Sequence, residues 1–331
     1  MPKLTAVRGV VRSNRRSGRA AAALAGRDLL TLGDLSVAEV HFLLDLAQEV
    51  KRKPARFSRA LAGSSLALLF EKPSLRTRVT FELGMEQLGG GAIYLGPQEI
   101  GLGTREAVGD VARNLARWFS AITIRSFAHD TVRELAANAT IPVINALSDL
   151  YHPCQALGDY LTLREHKQRL EGLRVAFLGD GNNVCHSLAL GAARLGVTLV
   201  IATPPGYEPV PAVLAQAREI APETAAHILL VHDPREAVRA AAAVYTDVWT
   251  SMGKEAEREK RRQVFPPYQV NAKLFSEARP DAVFMHCLPA HRGEEVTDQV
   301  MDSARSIIYD QAENRLHIQK AMLLALLGEA R

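Results

Sequence analysis

The sequence predicts an α/β protein built as two open parallel-sheet α/β domains. Past Gly26, short aliphatic or β-branched runs alternate with amphipathic stretches, the pattern of parallel strands covered by helices on both faces. Four such runs precede and five follow a polar, helix-forming stretch at 164–172, which suits a connection between two units. The chain has 331 residues, 47% apolar and 23% charged, enough for two domains of about 150 residues each.

The first four strands are expected at 65–70, 92–95, 121–125 and 143–146. The other five are expected at 174–178, 199–202, 243–245, 282–285 and 306–309. Domain limits follow at 28–165 and 166–331. The stretch 314–327 is apolar on one face and precedes Gly328, so it reads as a terminal helix that packs back on the body.

Composition removes several function classes. The longest apolar runs, such as 321–327, reach seven residues against the roughly 20 that span a bilayer. Cys154, Cys185 and Cys287 are an odd number with no C-x-x-C spacing, which argues against a disulfide framework and a structural zinc site and for a reducing compartment. The net charge of +4 comes from residues 1–27, where Lys3, Arg8, Arg12, Arg15, Arg16, Arg19 and Arg27 occur without an acid. The remainder holds 33 of the 40 basic residues against all 36 acidic ones, so the body carries no nucleic-acid footprint. Residues 1–27 read as a basic, disordered arm of a cytoplasmic protein. Their Arg-rich, acid-poor character also resembles a mitochondrial or plastid transit peptide.

Five segments carry chemistry. In Ser74-Leu75-Arg76-Thr77-Arg78, Ser74 suits an N-cap, and the following backbone N–H groups lie at the positive end of a helix dipole. Hydroxyls and guanidiniums on the same turn make an anion site suited to phosphate, although a capped helix with exposed arginines has the same spacing. His152-Pro153-Cys154-Gln155 follows a strand, where open α/β sheets bind ligands. His152 can donate to a carbonyl oxygen and Gln155 can bond an amide, or the histidine can be structural. Gly179-Asp180-Gly181-Asn182-Asn183 has two glycines of a dinucleotide fingerprint but Val184 at the third, and no ribose-binding acid closes the next strand, which disfavours a nicotinamide cofactor. Asn183 can instead bond a small polar ligand. In Asp247-Val248-Trp249-Thr250-Ser251-Met252-Gly253, Asp247 is either the partner of an ammonium group or an Asx turn. In His286-Cys287-Leu288-Pro289, adjacent strand residues point to opposite faces, so His286 is not positioned as a base for Cys287, which also reads as a small buried hydrophobe.

Taken together and in order, these segments resemble the aspartate/ornithine carbamoyltransferase family from about residue 28 to 328. The carriers are S-x-R-T-R at 74–78, H-P-x-Q at 152–155, H-C-L-P at 286–289 and Gln311-Ala312-Glu313-Asn314-Arg315. D-x-x-x-S-M-G at 247–253 and G-D-G-N-N at 179–183 mark its ornithine-using members. The resemblance implies an active site in a cleft between two α/β domains, a homotrimer, and neither metal nor redox cofactor. It also implies carbamoyl transfer from carbamoyl phosphate to the δ-amine of L-ornithine, giving L-citrulline and phosphate, in arginine biosynthesis or the catabolic arginine pathway. Residue by residue, Ser74, Leu75, Arg76 and Thr77 would hold the phosphate. Arg125 would bridge phosphate and carbonyl oxygen, and His152 and Arg315 would act on that carbonyl. Gln155 and the Leu288 carbonyl would orient the carbamoyl NH₂. Asp247 and Cys287 would bind and help deprotonate the amine, with Cys287 also at the carbamoyl phosphate. Asn183, Ser251 and Met252 would hold the amino-acid end.

One departure stands out. Where the family commonly has Gln-Leu-Gly-x-x-Glu in a loop reaching a neighbouring subunit's carbamoyl phosphate, this chain has Gly101-Leu102-Gly103-Thr104-Arg105-Glu106. Weaker carbamoyl phosphate binding is expected, with Gly101→Gln tightening it. Other readings are a carbamoyltransferase for putrescine, N-acetylornithine or aspartate, the last disfavoured by Asp247, and a non-catalytic paralogue acting as a binding or regulatory subunit.

Overall fold

The computed structural model describes residues 15–251 and 253–328. The chain separates into two compact units. The first runs to Leu161 and takes back the chain from Asn314; the second is Thr162–Glu313. The sequence pattern places the boundary near 165 and assigns residues 314–331 to the second domain. Both boundaries fall inside continuous helices, where no turn or composition shift marks them.

In the first unit, helices α1 (Arg15–Leu24) and α2 (Val37–Arg52) pack together ahead of strand β1 (Ser65–Phe70). There follow α3 (Leu75–Gln87), β2 (Gly91–Leu95), the short α4 (Pro97–Ile100), α5 (Val108–Trp118), β3 (Ala121–Arg125), α6 (His129–Asn138), β4 (Val143–Leu147) and α7 (Pro153–Lys167). The four strands are parallel in the order β2-β1-β3-β4. Ala67, Leu69, Ile122, Ile124 and Val143 pack with Val111 and Leu115 of α5 and Val132 and Leu135 of α6. Every residue of β3 is buried, which is why the central strands read as continuous apolar runs and not as alternating ones.

The second unit contains β5 (Arg174–Leu178), α8 (Asn183–Leu195), β6 (Thr198–Ala202), α9 (Pro211–Ile220), β7 (His227–Val231), α10 (Pro234–Val238), β8 (Ala243–Thr246), α11 (Arg258–Val264), α12 (Ala272–Phe275), β9 (Val283–His286) and α13 (Asp298–Met301). Its sheet is parallel in the order β7-β6-β5-β8-β9. The last helix, α14 (Ile308–Leu327), starts in the second unit and ends in the first.

Three expectations are corrected. The disorder expected for residues 1–27 does not hold from residue 15 onward: the alanine-rich run forms α1, whose Ala20, Ala21 and Leu24 are buried, and residues 1–14 lie outside the described part. The strand expected at 306–309 is a single bridge between Phe284 and Ser306, because Ile308 and Tyr309 open a 20-residue helix whose cooperative propagation outweighs the strand preference of a β-branched and an aromatic residue. The fifth strand is instead β7, an edge strand with Leu229 43% exposed. Its histidine start and one-sided burial set it apart from the buried central strands.

Candidate active site

Each sheet has one topological switch point, where strand order reverses and the loops after two neighbouring strands diverge to leave a crevice. In the first unit it lies between β1 and β3, paired in register through Phe70 and Arg125. The chain leaving β1 reaches Ser74, whose Oγ accepts from the Thr77 N–H at 3.3 Å and caps α3. Glu71 joins the two exits: its N–H donates to the Arg125 carbonyl at 2.9 Å, and its Oε2 accepts from Ser126 Oγ and from the Phe127 N–H.

Arg125, His152, Gln155 and Arg315, all buried, meet the start of α3. Arg315 Nη2 donates to Thr77 Oγ1 at 2.7 Å and its Nη1 to Gln155 Oε1 at 2.6 Å. Gln155 Nε2 in turn donates to Asp159 Oδ1 at 2.7 Å. One lone pair of Gln155 Oε1 is left for an incoming donor. Arg125 Nε is buried without a hydrogen-bond partner. Burial, followed by the charges of Arg315 and Arg76, pushes the Arg125 guanidinium down to about 10. The same charges, behind a larger desolvation effect, hold His152 well below its ordinary value. A buried guanidinium set against further cations at a helix N-terminus fits a multiply charged anion, and a neutral histidine beside it is a hydrogen-bond donor for an adjoining carbonyl. Leu75 is 75% exposed and offers the anion only its backbone.

In the second unit the switch point lies between β5 and β8, paired through Leu178 and Thr246. Asn182, which sequence reasoning passed over for its neighbour, caps α8: its Oδ1 accepts from the Val184 and Cys185 N–H groups at 3.0 and 3.2 Å. Its Nδ2 donates to Asp247 Oδ2 at 2.7 Å. An Asn immediately before a helical run is the signal that could have found it. Asn183 is the first helical residue and half-buried. A Cβ on Gly181 would lie 2.2 Å from Pro209 N, so this glycine admits the 207–210 segment and is no dinucleotide fingerprint.

Strand β9 lies beside β8 with His286 opposite Thr246, so the next residues, Cys287 and Asp247, are neighbours. Cys287 Sγ donates to Asp247 Oδ1 at 2.9 Å, and the same oxygen accepts from the Val248 N–H at 2.8 Å. His286 meets Glu295, its Nε2 lying 3.2 Å from Glu295 Oε1. Metal-ligating atoms of Asp247, His286 and Cys287 lie within 4.8 Å of one another, but both His286 nitrogens are engaged elsewhere. Ser251 Oγ is 3.4 Å from Asn182 Nδ2, and Met252 lies outside the described residues.

Arg261 belongs here too, buried inside a run of charged residues that carries no motif. Its Nη1 donates to the Trp249 carbonyl at 2.7 Å and lies 3.0 Å from Asp180 Oδ2. It thereby ties the Asp247–Gly253 loop to the 179–183 turn.

Gly101 has φ +55°, and a Cβ there would lie 2.8 Å from Arg105 Cβ. The expected gain from Gly101→Gln alone is therefore corrected: the left-handed backbone and Arg105 both oppose it.

The fold and the two half-sites define a class: a two-unit α/β protein with an oxyanion cradle and neutral histidine on one unit and a carboxylate–thiol pair on the other. Family models resolve the class further. "Aspartate/ornithine carbamoyltransferase, carbamoyl-P binding domain" matches residues 27–165, and "Aspartate/ornithine carbamoyltransferase, Asp/Orn binding domain" matches residues 171–326. The chain belongs to the aspartate/ornithine carbamoyltransferase family. It is 53% identical over 306 residues to an ornithine carbamoyltransferase of Anoxybacillus flavithermus, covering 92% of this chain and 98% of the relative. It is 52% identical over 307 residues to an anabolic ornithine carbamoyltransferase of Pyrococcus furiosus, covering 92% and 98%. A solved ornithine carbamoyltransferase structure from Pyrococcus furiosus superposes with a TM-score of 0.90 at 51% identity, covering 93% of this chain and 99% of that one.

Proposed function

We propose that this enzyme transfers the carbamoyl group of carbamoyl phosphate to the δ-amine of L-ornithine, giving L-citrulline and phosphate in arginine biosynthesis. The observation that carries the reading is Arg125, a buried guanidinium set against Arg315 and Arg76 with its Nε unpartnered, beside a histidine held neutral. That cluster suits a phosphate joined to a carbonyl.

Phosphate is held by Ser74, the N–H groups from Leu75 onward, Arg76 and Thr77. Arg125 spans phosphate and carbonyl oxygen, and His152 donates to that oxygen as it gains negative charge, with Arg315 adding positive charge there. Gln155 Oε1 and the Leu288 carbonyl accept from the carbamoyl NH₂. Asp247 and Cys287 receive the δ-ammonium and help remove its proton, while Asn183, Ser251 and Met252 hold the amino-acid end. The amine nitrogen bonds to the carbamoyl carbon, the carbon–oxygen bond to phosphate breaks, and the departing phosphate takes up a proton. The test is carbamoyl transfer from carbamoyl phosphate to L-ornithine, putrescine, N-acetylornithine and aspartate. Citrulline formed far faster than the other products is expected, and silence with all four acceptors would favour a binding protein.

Cys287→Ala is expected to lower kcat/KM for ornithine by about 10²-fold while the Kd for inorganic phosphate, measured by calorimetry, stays the same. Equal loss of both would contradict the assignment of Cys287 to the amine.

Self-association into a homotrimer is part of the proposal. It is supported by Leu75, Val79 and Leu83, which form an exposed apolar stripe on α3, four residues apart and so on one helix face. If the 101–106 loop reaches a neighbour's site, Gly101→Gln with Arg105→Gly should lower the KM for carbamoyl phosphate. Gly101→Gln alone should do less, because the Arg105 Cβ stays in its way. An unchanged KM in the double variant would show that the loop does not reach. Cys154, Cys185 and Cys287 are free thiols, which suits a reducing compartment, the cytoplasm in this reading.

A further inference from the structure

Leu288, whose carbonyl the proposed function assigns to the carbamoyl NH₂, has φ +59°. A leucine does not hold this left-handed conformation without support from its surroundings. The support is visible: the Leu288 N–H donates to His286 Nδ1 at 2.8 Å. An acceptor at Nδ1 carries no proton, so the ring is the Nε2–H tautomer. That second nitrogen lies 3.2 Å from Glu295 Oε1, and both side chains are fully buried. Glu295 Oε1 also accepts from the His291 N–H at 2.5 Å. The His286 N–H donates to Gln311 Oε1 at 3.0 Å, which fixes the end of β9 from the other side.

We infer that Glu295, acting through the tautomer of His286, is a positioning residue that aims the Leu288 carbonyl, and with it the neighbouring Cys287, at the reacting group. The inference rests on the carbamoyl-transfer reading above. A carboxylate facing Nε2 forces the proton onto that nitrogen and leaves Nδ1 as the acceptor that Leu288 needs. With the carboxylate removed, nothing favours this tautomer, and an Nδ1–H would oppose the Leu288 N–H donor to donor. Glu295 touches neither substrate nor reacting atoms in this arrangement.

Asparagine at 286 supplies an acceptor oxygen near the place of Nδ1 without any tautomer to select, so it should uncouple the loop from residue 295. Glu295→Leu is expected to lower kcat by about 10²-fold, the cost of misplacing a positioning group by about 1 Å. In a His286→Asn background the same substitution should cost less than about threefold, a coupling that a double-mutant cycle reads directly. Glu295→Gln keeps an acceptor oxygen toward Nε2 and should rescue kcat, while the Kd for inorganic phosphate stays unchanged in every variant. Equal kcat loss from Glu295→Leu in both backgrounds would overturn the inference. So would a Glu295→Gln variant that binds phosphate normally and is as slow as Glu295→Leu. Should Glu295→Leu fail to fold, His286→Asn and His286→Leu decide: retained kcat in the first and loss in the second support the inference, and equal kcat overturns it. Absence of citrulline with the unmodified enzyme would instead refute the carbamoyl-transfer reading itself.

Discussion

Asp247→Asn should reduce kcat/KM for ornithine by about 10³-fold, within the range for removing a positioned acid–base group, and leave inorganic phosphate binding intact. The carboxylate now accepts from Cys287 Sγ and the Val248 N–H on Oδ1 and from Asn182 Nδ2 on Oδ2. An amide in its place must turn an NH₂ toward one of those donors, whichever way it flips. Negative charge is lost where an ammonium must bind, and the hydrogen-bond geometry is broken in the same step. Steady-state kinetics with ornithine as the varied substrate, paired with phosphate calorimetry, measures both halves. Near-normal use of ornithine by the variant would remove Asp247 from the amine site.

His152→Ala should lower kcat by about 10²- to 10³-fold, the effect of deleting one donor to a developing oxyanion. Burial, and then the charges of Arg315, Arg125 and Arg76, hold His152 well below its ordinary value, so it remains neutral at pH 6–8. His152 itself should therefore contribute no step to the kcat profile of the unmodified enzyme in that range. Stability has the opposite visibility. The unfolded chain takes up a proton near pH 6.5, whereas the native imidazole takes it up only well below. The unfolded state thus binds more protons in between, and unfolding free energy rises with pH there. The contribution is fully present above the unfolded value and is lost as pH falls from it through the folded one. Thermal unfolding at pH 5 and pH 7 should accordingly show a smaller pH dependence in His152→Ala than in the unmodified protein. An identical dependence would mean that His152 titrates normally in the native state.

Much of the fold was legible because the central strands are buried on both faces. The runs at 65–70, 121–125 and 174–178 coincide with β1, β3 and β5. Where burial is one-sided the signal weakens, and β7 went unseen. The cradle residues were legible as types in a motif, since Ser74, His152 and Gln155 each sit beside an unmistakable strand end or helix start. Asn182 and Glu295 were not. The first differs from Asn183 only by which residue caps the helix, and the second lies in a charged loop that resembles any solvated one.

Two parallel α/β sheets and the order of the chemical segments along them are written in the amino-acid chain, because apolar runs and helix caps are local properties. Which of those segments meet depends on the folded arrangement of the strands and of the last helix. Asp247 pairs with Cys287 because β8 and β9 are neighbours in register, and Arg315 joins Thr77 and Gln155 because the chain from Asn314 onward returns to the first unit. The depressed His152 and Arg125 arise from the same convergence, since burial and like-charge proximity exist only after distant residues have been brought together.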